Sequence, residues 1–93
     1  MVCKMFYVYI LNSSICKKHY IGSTDDLERR LFEHNSGKVK STQAYKPWVM
    51  IYTELFYTRN EAFKREKQIK SYKGGEAFKK LLLNNRRDAR VVE

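Results

Sequence analysis

Three stretches rich in aromatic and β-branched residues predict β-strands in this chain. The first covers Phe6–Leu11 and gives way to a polar loop that begins at Asn12. The second is short, from His19 to Ile21, and we expect Gly22 to end it. The third runs from Trp48 to Phe56. The first two strands therefore predict an antiparallel hairpin with a long connection.

Helical periodicity predicts three helices, and side chains that suit a helix N-terminus precede the first two. The first helix is expected from about Asp25 to Asn35, capped by Ser23, Thr24 or Asp25. The second is expected from Thr58 to about Lys73, with Thr58 as N-cap and Glu61 completing a capping box. The third is expected from Glu76 to about Asn84, with Phe78, Leu81 and Leu82 on one face. Glycines end the second helix, which is typical of C-termini.

The order β-β-α-β-α-α predicts an α+β fold, a small three-stranded antiparallel sheet flanked by helices. We expect residues 1–93 to form one domain with a core of about 6–83. A basic tail of about 84–93 would follow, carrying Arg86, Arg87 and Arg90. If the strands run antiparallel, Tyr7 and Tyr9 share a face, whereas the face of Tyr20 depends on a register that the pattern leaves open.

The formal net charge of +9 over 93 residues favours partners that carry phosphates or other acidic groups. A merely basic protein, such as one associated with a ribosome, has the same charge. Cys3 and Cys16 have no metal-type spacing, which is typical of ordinary thiols in a reducing compartment. The sequence has no signal peptide and no apolar run that could span a membrane, so we expect a cytoplasmic protein.

A cation and a histidine share the apolar side of the first predicted helix. At about 100° per residue, Leu27 and Leu31 lie on one side. Arg30 and His34 fall beside them, although an apolar stripe usually excludes cations. Arg30 either packs its aliphatic part on the apolar side with its guanidinium at the surface, or binds a phosphate. His34 is either a half-buried helix-end histidine or a proton carrier.

A carboxylate lies within the apolar arc of the second predicted helix. Glu66 falls between Ala62, Phe63 and Ile69, and a carboxylate rarely faces a core unless it is paired. The partner would be either an internal Lys or Arg or a cation such as Mg²⁺. Strand tyrosines ordinarily fill a core, but beside an inward Arg, His and Glu their hydroxyls can position water or phosphate. This combination suits phosphodiester hydrolysis better than acyl transfer, because no Ser or Cys has a recognisable base.

Two tyrosine-containing triplets in the strands resemble the signature of the GIY-YIG nuclease superfamily. Tyr7-Val8-Tyr9 is followed, eleven residues after Tyr9, by Tyr20-Ile-Gly22. The second triplet matches the signature letter for letter. The first departs from it at Tyr7 and Val8, where Gly and Ile would stand.

The helices extend this resemblance over about Phe6 to Leu83. Gly22, Arg30 and His34 match the Gly-x7-Arg-x3-His pattern of the family, and Glu66 stands where the family keeps its metal-binding glutamate. The chain is most similar to the small stand-alone bacterial members.

The resemblance implies a metal-dependent endonuclease that hydrolyses DNA, with RNA as a second candidate substrate. In that family the second-triplet tyrosine or the helix histidine activates water, roles that fall here to Tyr20 and His34. Arg30 would stabilise the pentavalent phosphate and Tyr9 would support it. Glu66 would bind one Mg²⁺ or Mn²⁺. Gly22 would let the helix N-terminus approach the strand closely.

The resemblance also implies weak sequence preference, since larger relatives gain specificity from fused domains, and a possible use in DNA repair or recombination. Affinity would come from salt-sensitive phosphate contacts, with Lys38, Lys40 and Lys46 as candidates. The alternatives are a nucleic-acid-binding module with weak or no turnover and a basic scaffold that docks on a ribosome or repair partner. No protein partner or oligomeric state follows from the sequence.

Overall fold

The computed structural model describes residues 4–83, which form one antiparallel sheet with helices on both faces. The strands are β1, Phe6–Ser13; β2, His19–Thr24; and β3, Trp48–Phe56. The helices are α1, Leu27–Asn35; α2, Arg59–Lys70; and α3, whose described part covers 76–83. A single 3₁₀ turn, Gln43–Tyr45, interrupts the loop between α1 and β3. The predicted α+β class and the order β-β-α-β-α-α are confirmed.

The first strand is the centre of the sheet, whose order is β2-β1-β3. Its residues Val8–Leu11 are at most 1% exposed, because both faces of the sheet are covered. The sequence of a strand that is buried on both faces is typically a continuous run of apolar residues, as it is in β1. It follows that β2 and β3 are the two edges of the sheet.

Each face of the sheet has its own hydrophobic core. On one face, Val8 and Ile10 pack with Ala62 and Ile69 of α2 and with Phe78 of α3. The predicted apolar face of the third helix is confirmed, since Leu81 and Leu82 join Phe78 in the same core. The other face is smaller and aromatic, and α1 covers it; its members are Tyr9, Leu11, Trp48, Tyr20, Leu27, Leu31, Tyr45 and Met50.

Three predicted boundaries of the hairpin and first helix were wrong. β1 continues through Asn12 to Ser13, and β2 continues through Gly22 to Thr24. Pairing with a neighbouring strand keeps these residues extended where local sequence alone favours a turn. The first helix begins at Leu27 with Asp26 as its cap, because the Asp26 carboxylate accepts from the backbone N–H of Arg29.

The second helix begins as predicted and ends earlier than predicted. The hydroxyl of Thr58 accepts from the N–H of Glu61, which confirms the cap. The helix ends at Lys70 rather than near Lys73. Lys73 and Gly74 have φ of 52° and 74°, left-handed values that a right-handed helix cannot contain.

Some residues named in the sequence analysis lie outside the described residues 4–83. They are Cys3, Asn84 at the predicted end of the third helix, and the tail residues Arg86, Arg87 and Arg90. Cys16 is an exposed free thiol. Within residues 4–83, no helix is long and apolar enough to cross a bilayer.

Candidate active site

The strand register places the predicted tyrosines on one face. Tyr9 stands opposite Gly22, and Leu11 stands opposite Tyr20, in the antiparallel pair of β1 and β2. Directly opposed residues point to the same side of a sheet. The Tyr9 and Tyr20 rings are accordingly neighbours, with centroids 6.2 Å apart, beneath α1. The register therefore decides what the sequence pattern had left open.

Gly22 lies directly under the Tyr9 ring. A Cβ at this position would stand 2.7 Å from the Tyr9 hydroxyl oxygen and 2.9 Å from the ring carbon that bears it. Real Cβ atoms do not come that close, so any side chain here would displace the phenol. The missing side chain thus makes room for Tyr9 rather than for the approach of a helix, and β2 stays intact through the glycine.

A chain of hydrogen bonds runs from Arg30 through the buried centre of this face. The Arg30 Nε–H donates to the Tyr9 hydroxyl oxygen at 3.3 Å, and that hydroxyl lies 3.1 Å from His34 Nε2. His34 Nδ1 lies 2.9 Å from the Thr42 hydroxyl, which donates to the Val39 carbonyl. Since Thr42 has one hydroxyl proton, its oxygen must accept from His34 Nδ1–H. Neutral His34 therefore accepts at Nε2, and Tyr9 donates to it.

Burial fixes the protonation states in this network. Burial raises the pKa of Tyr9 to about 12, against the lowering effect of the hydrogen bond from Arg30. Burial, with the nearby Arg30 charge, lowers the pKa of His34 to about 4. At neutral pH the tyrosine is a phenol and the histidine is uncharged, as the hydrogen-bond directions require.

Of the two residues expected to activate water, the structure keeps one within reach of solvent. His34 is fully buried, and both of its ring nitrogens contact protein hydroxyls. Tyr20 is half-buried, and its ring lies against the imidazole with centroids 4.6 Å apart. His34 is thus placed to hold Tyr9 and to support Tyr20, whereas water can reach Tyr20.

The buried histidine predicts a specific dependence of stability on pH. The unfolded chain protonates His34 near pH 6.5 and the folded chain only near pH 4, so between these values the unfolded state binds more protons. The free energy of unfolding should therefore be highest above pH 6.5 and fall as the pH is lowered, by on the order of 3 kcal/mol in total from this group. Urea unfolding at pH 7 and pH 5 measures the slope.

Two variants isolate this contribution. His34→Gln should flatten the slope between pH 7 and pH 5, whereas the same change at the exposed His19 should leave most of that slope in place. An NMR titration of the His34 ring in the wild-type chain tests the same point without any substitution. A His34 midpoint near 6.5 would contradict the buried, neutral imidazole.

Glu66 reaches the same strand from the other face of the sheet. Its Oε1 accepts from the Ser23 hydroxyl at 2.8 Å, and its Oε2 lies 2.7 Å from Lys70 Nζ. Ser23 follows Gly22 in β2, and successive side chains alternate between faces. The carboxylate and the Tyr9 phenol therefore meet neighbouring residues of one edge strand, from opposite sides.

The structure gives Glu66 a lysine as its ion-pair partner. Its ion-pair partner is Lys70, one helical turn along α2 and half exposed, rather than an internal cation. The helix positions on one flank, Ala62 and Ile69, are buried as predicted, but Phe63 is 48% exposed. Glu66 thus lies at the rim of the core, with 13% of its side chain open to solvent.

The residues present fit a single hydrated divalent cation. Within residues 4–83, no group of three or more His, Cys, Asp or Glu side chains could enclose a metal. Mg²⁺ commonly binds through one or two carboxylates and keeps several waters. Glu54, another partly buried carboxylate, is held in a bidentate pair by Arg65, with both contacts at 2.9 Å. In Glu66, by contrast, Oε2 pairs with the half-exposed Lys70 ammonium.

The loop between α1 and β3 carries both a buried anchor and the predicted nucleic-acid-binding lysines. Thr42 is 1% exposed and holds His34, and its carbonyl accepts from the Trp48 indole. Lys38, Lys40 and Lys46 are all exposed on this loop. The structure therefore shows them on the surface beyond His34, without a contact that joins them to Arg30 or Glu66.

Sequence reasoning missed two residues of the site, Ser23 and Thr42. Ser23 directly follows the second triplet, but its bond to Glu66 spans 43 positions of sequence. Thr42 lies in a polar loop without periodicity, so no local signal distinguishes it from its neighbours. Only the fold brings either one to its partner.

Residues 5–79 match the family model of the GIY-YIG catalytic domain. A UPF0213 protein of Staphylococcus haemolyticus is 41% identical over 69 residues, which cover 71% of this chain and 80% of the relative. One from the archaeon Haloquadratum walsbyi is 45% identical over 67 residues, 71% of this chain and 74% of the relative. One from Syntrophus aciditrophicus is 39% identical over 83 residues, covering 87% and 94%.

Among solved structures, the chain is similar to the solution NMR structure of a UPF0213 protein from Bacillus halodurans. The two are 32% identical, the match covers 86% of this chain and 83% of the other, and the TM-score is 0.49.

Proposed function

The chain belongs to the GIY-YIG family, and on this basis we propose that it is a metal-dependent endonuclease that hydrolyses phosphodiester bonds in DNA. The observation that carries the proposal is the hydrogen bond from Arg30 to Tyr9, with His34 behind the phenol. This arrangement holds a permanently charged guanidinium, about one third exposed, at the edge of the sheet beside Tyr20. A cation fixed in that way suits the charge that develops on a pentavalent phosphate.

Each residue of the network has a distinct role in this proposal. The Arg30 guanidinium binds a nonbridging phosphate oxygen, since it remains charged at every working pH and offers several donors. The Tyr20 hydroxyl orients the attacking water. Tyr9 fixes the direction of Arg30, and His34 fixes the direction of the Tyr9 hydroxyl. His34 is thus a positioning residue, because it is too buried to touch the substrate.

Glu66 would hold one Mg²⁺ or Mn²⁺, with Ser23 fixing the orientation of the carboxylate. When bound, such a cation neutralises charge on the phosphate and the leaving oxygen. Lys70 must release Oε2 for the cation to bind. It is half exposed on a flexible stem, so it can move away and contact a phosphate instead.

The net charge of +9 supports a nucleic acid as the substrate. Lys38, Lys40 and Lys46 are exposed as phosphate contacts require, and binding through them would be salt-sensitive and weakly selective for sequence. RNA is the second candidate substrate, and the cytoplasm is the proposed compartment. One observation favours the alternative of a binding module without turnover: the Lys70 ammonium occupies the carboxylate that a metal would need.

The test is a cleavage assay on labelled branched, duplex and single-stranded DNA and on RNA, with Mg²⁺, Mn²⁺ or EDTA. We expect cutting that requires the divalent cation and is absent from an Arg30→Ala/Glu66→Ala double variant purified in parallel. Binding, measured in EDTA, should survive in that variant. Binding without cutting on every substrate would favour the binding module, and equal cutting by the double variant would exclude this site.

A further inference from the structure

A cavity of about 410 Å³ opens between the end of β2 and the first turns of α2. Its lining residues are Ser23, Arg59, Asn60 and Phe63. The Ser23 hydroxyl donates to the Glu66 carboxylate, so one residue of the cavity wall also contacts that carboxylate. The volume lies in the range of small-ligand sites, roughly 300 to 1,000 Å³.

The wall of this cavity includes an aromatic ring that the core does not use. Phe63 is 48% exposed, although Ala62 beside it on α2 is only 1% exposed. At about 100° per residue, Glu66, Arg59 and Phe63 fall within an arc of about 60° on the helix. The ring is therefore about one turn from the carboxylate and faces the same way.

One cation lies over the ring of Phe63, and a second lines the cavity. The Lys67 ammonium lies 5.0 Å from the Phe63 ring centroid, and Arg59 packs over the ring of Phe6 at 4.7 Å, beside the cavity. An exposed aromatic face among cations suits a ligand that is flat and attached to negative charge. A nucleobase on its sugar-phosphate strand has this combination, and base-aromatic stacking tolerates any sequence.

We propose that the cavity bounded by Ser23, Arg59, Asn60 and Phe63 binds an unpaired nucleobase, stacked on Phe63, of the strand whose phosphate lies at Glu66. A base within a duplex is stacked on both sides and is not available to this ring, so the site selects nucleic acid with single-stranded character next to the cleaved bond. Arg59 contacts the phosphate of that nucleotide, and Asn60 contacts the edge of its base. This assignment rests on the proposed function only for the position of the phosphate.

Fluorescence anisotropy in EDTA tests the subsite without cleavage. The probes are a labelled single-stranded oligonucleotide and a labelled blunt hairpin whose fully paired stem is closed by a non-nucleotide linker, so that the hairpin has no unpaired base. Phe63→Ala should weaken binding of the single strand by roughly 5- to 100-fold, the usual effect of removing one stacking ring, and change hairpin binding less than twofold. Phe32→Ala, which removes a still more exposed ring from α1, should affect neither probe.

A tryptophan at the same position reports stacking directly. In Phe63→Trp, the emission of the new indole should be quenched by the single strand and not by the hairpin. Trp48 supplies a constant background, since it is 4% exposed. Equal losses on both probes, no loss in Phe63→Ala, or an unquenched indole would overturn the subsite. So would concentration-dependent self-association that Phe63→Ala abolishes, because it would assign the ring to a second copy of the chain.

The outcomes separate this inference from the proposed nuclease. If no cleavage is found but Phe63→Ala still discriminates the two probes, the nuclease proposal fails and the subsite stands. If cleavage depends on Arg30 and Glu66 while Phe63→Ala binds both probes normally, the nuclease proposal stands and the subsite fails.

Discussion

Arg30→Lys should reduce the single-turnover rate of DNA cleavage by roughly 100- to 1,000-fold, the usual effect of removing one preorganised donor from a developing oxyanion. The wild-type guanidinium uses Nε to bond Tyr9 and Nη1 to bond Glu33, at 3.3 Å and 2.9 Å. Its planar fork keeps further N–H groups for a phosphate. A lysine ammonium is a point charge that cannot hold Tyr9 and a phosphate oxygen in fixed directions at once.

The neighbouring arginine provides a matched control. Arg29 is 58% exposed and pairs with Asp25 and Glu33 on the outer side of α1. Arg29→Lys should leave the rate within about twofold, because surface ion pairs of this kind contribute little. Binding in EDTA should be similar for both variants. A normal rate in Arg30→Lys, or an equal loss in Arg29→Lys, would refute the role given to Arg30.

Glu66→Gln should abolish detectable Mn²⁺ binding and reduce cleavage by at least about 100-fold. Glutamine keeps an oxygen that can accept from Ser23, so the fold and the position of the side chain are retained while the charge is lost. Electron paramagnetic resonance of Mn²⁺ measures binding without nucleic acid, and single-turnover cleavage measures the rate.

Two further substitutions on α2 sharpen the Glu66 experiment. Lys70→Gln removes the ammonium 2.7 Å from Oε2 and should tighten Mn²⁺ binding, since the metal no longer competes with it. Glu61→Gln, an exposed carboxylate at the start of the same helix, should change neither quantity. If Glu66→Gln binds Mn²⁺ as well as the wild-type chain, the metal site is elsewhere.

Local signals were sufficient for most of the secondary structure. The apolar run at Trp48–Phe56 forms a strand with the predicted bounds, and Thr58 caps the second helix as its hydroxyl and position suggested. The errors lie where tertiary contacts override local preference. Gly22 favours a break in isolation, yet it remains in β2, because pairing with β1 and the Tyr9 ring above it keep the chain extended.

Sequence alone assigned the chain's class, element order, charge and the residue types of its candidate site. Hydrophobic periodicity and charge are properties of neighbouring residues, so they can be read along the chain. The tertiary structure decided the register that puts Tyr20 beside Tyr9, the burial that keeps His34 neutral, and the meeting of Ser23 with Glu66. These depend on residues far apart in sequence, and only packing of the sheet against the helices on its two faces brings them together.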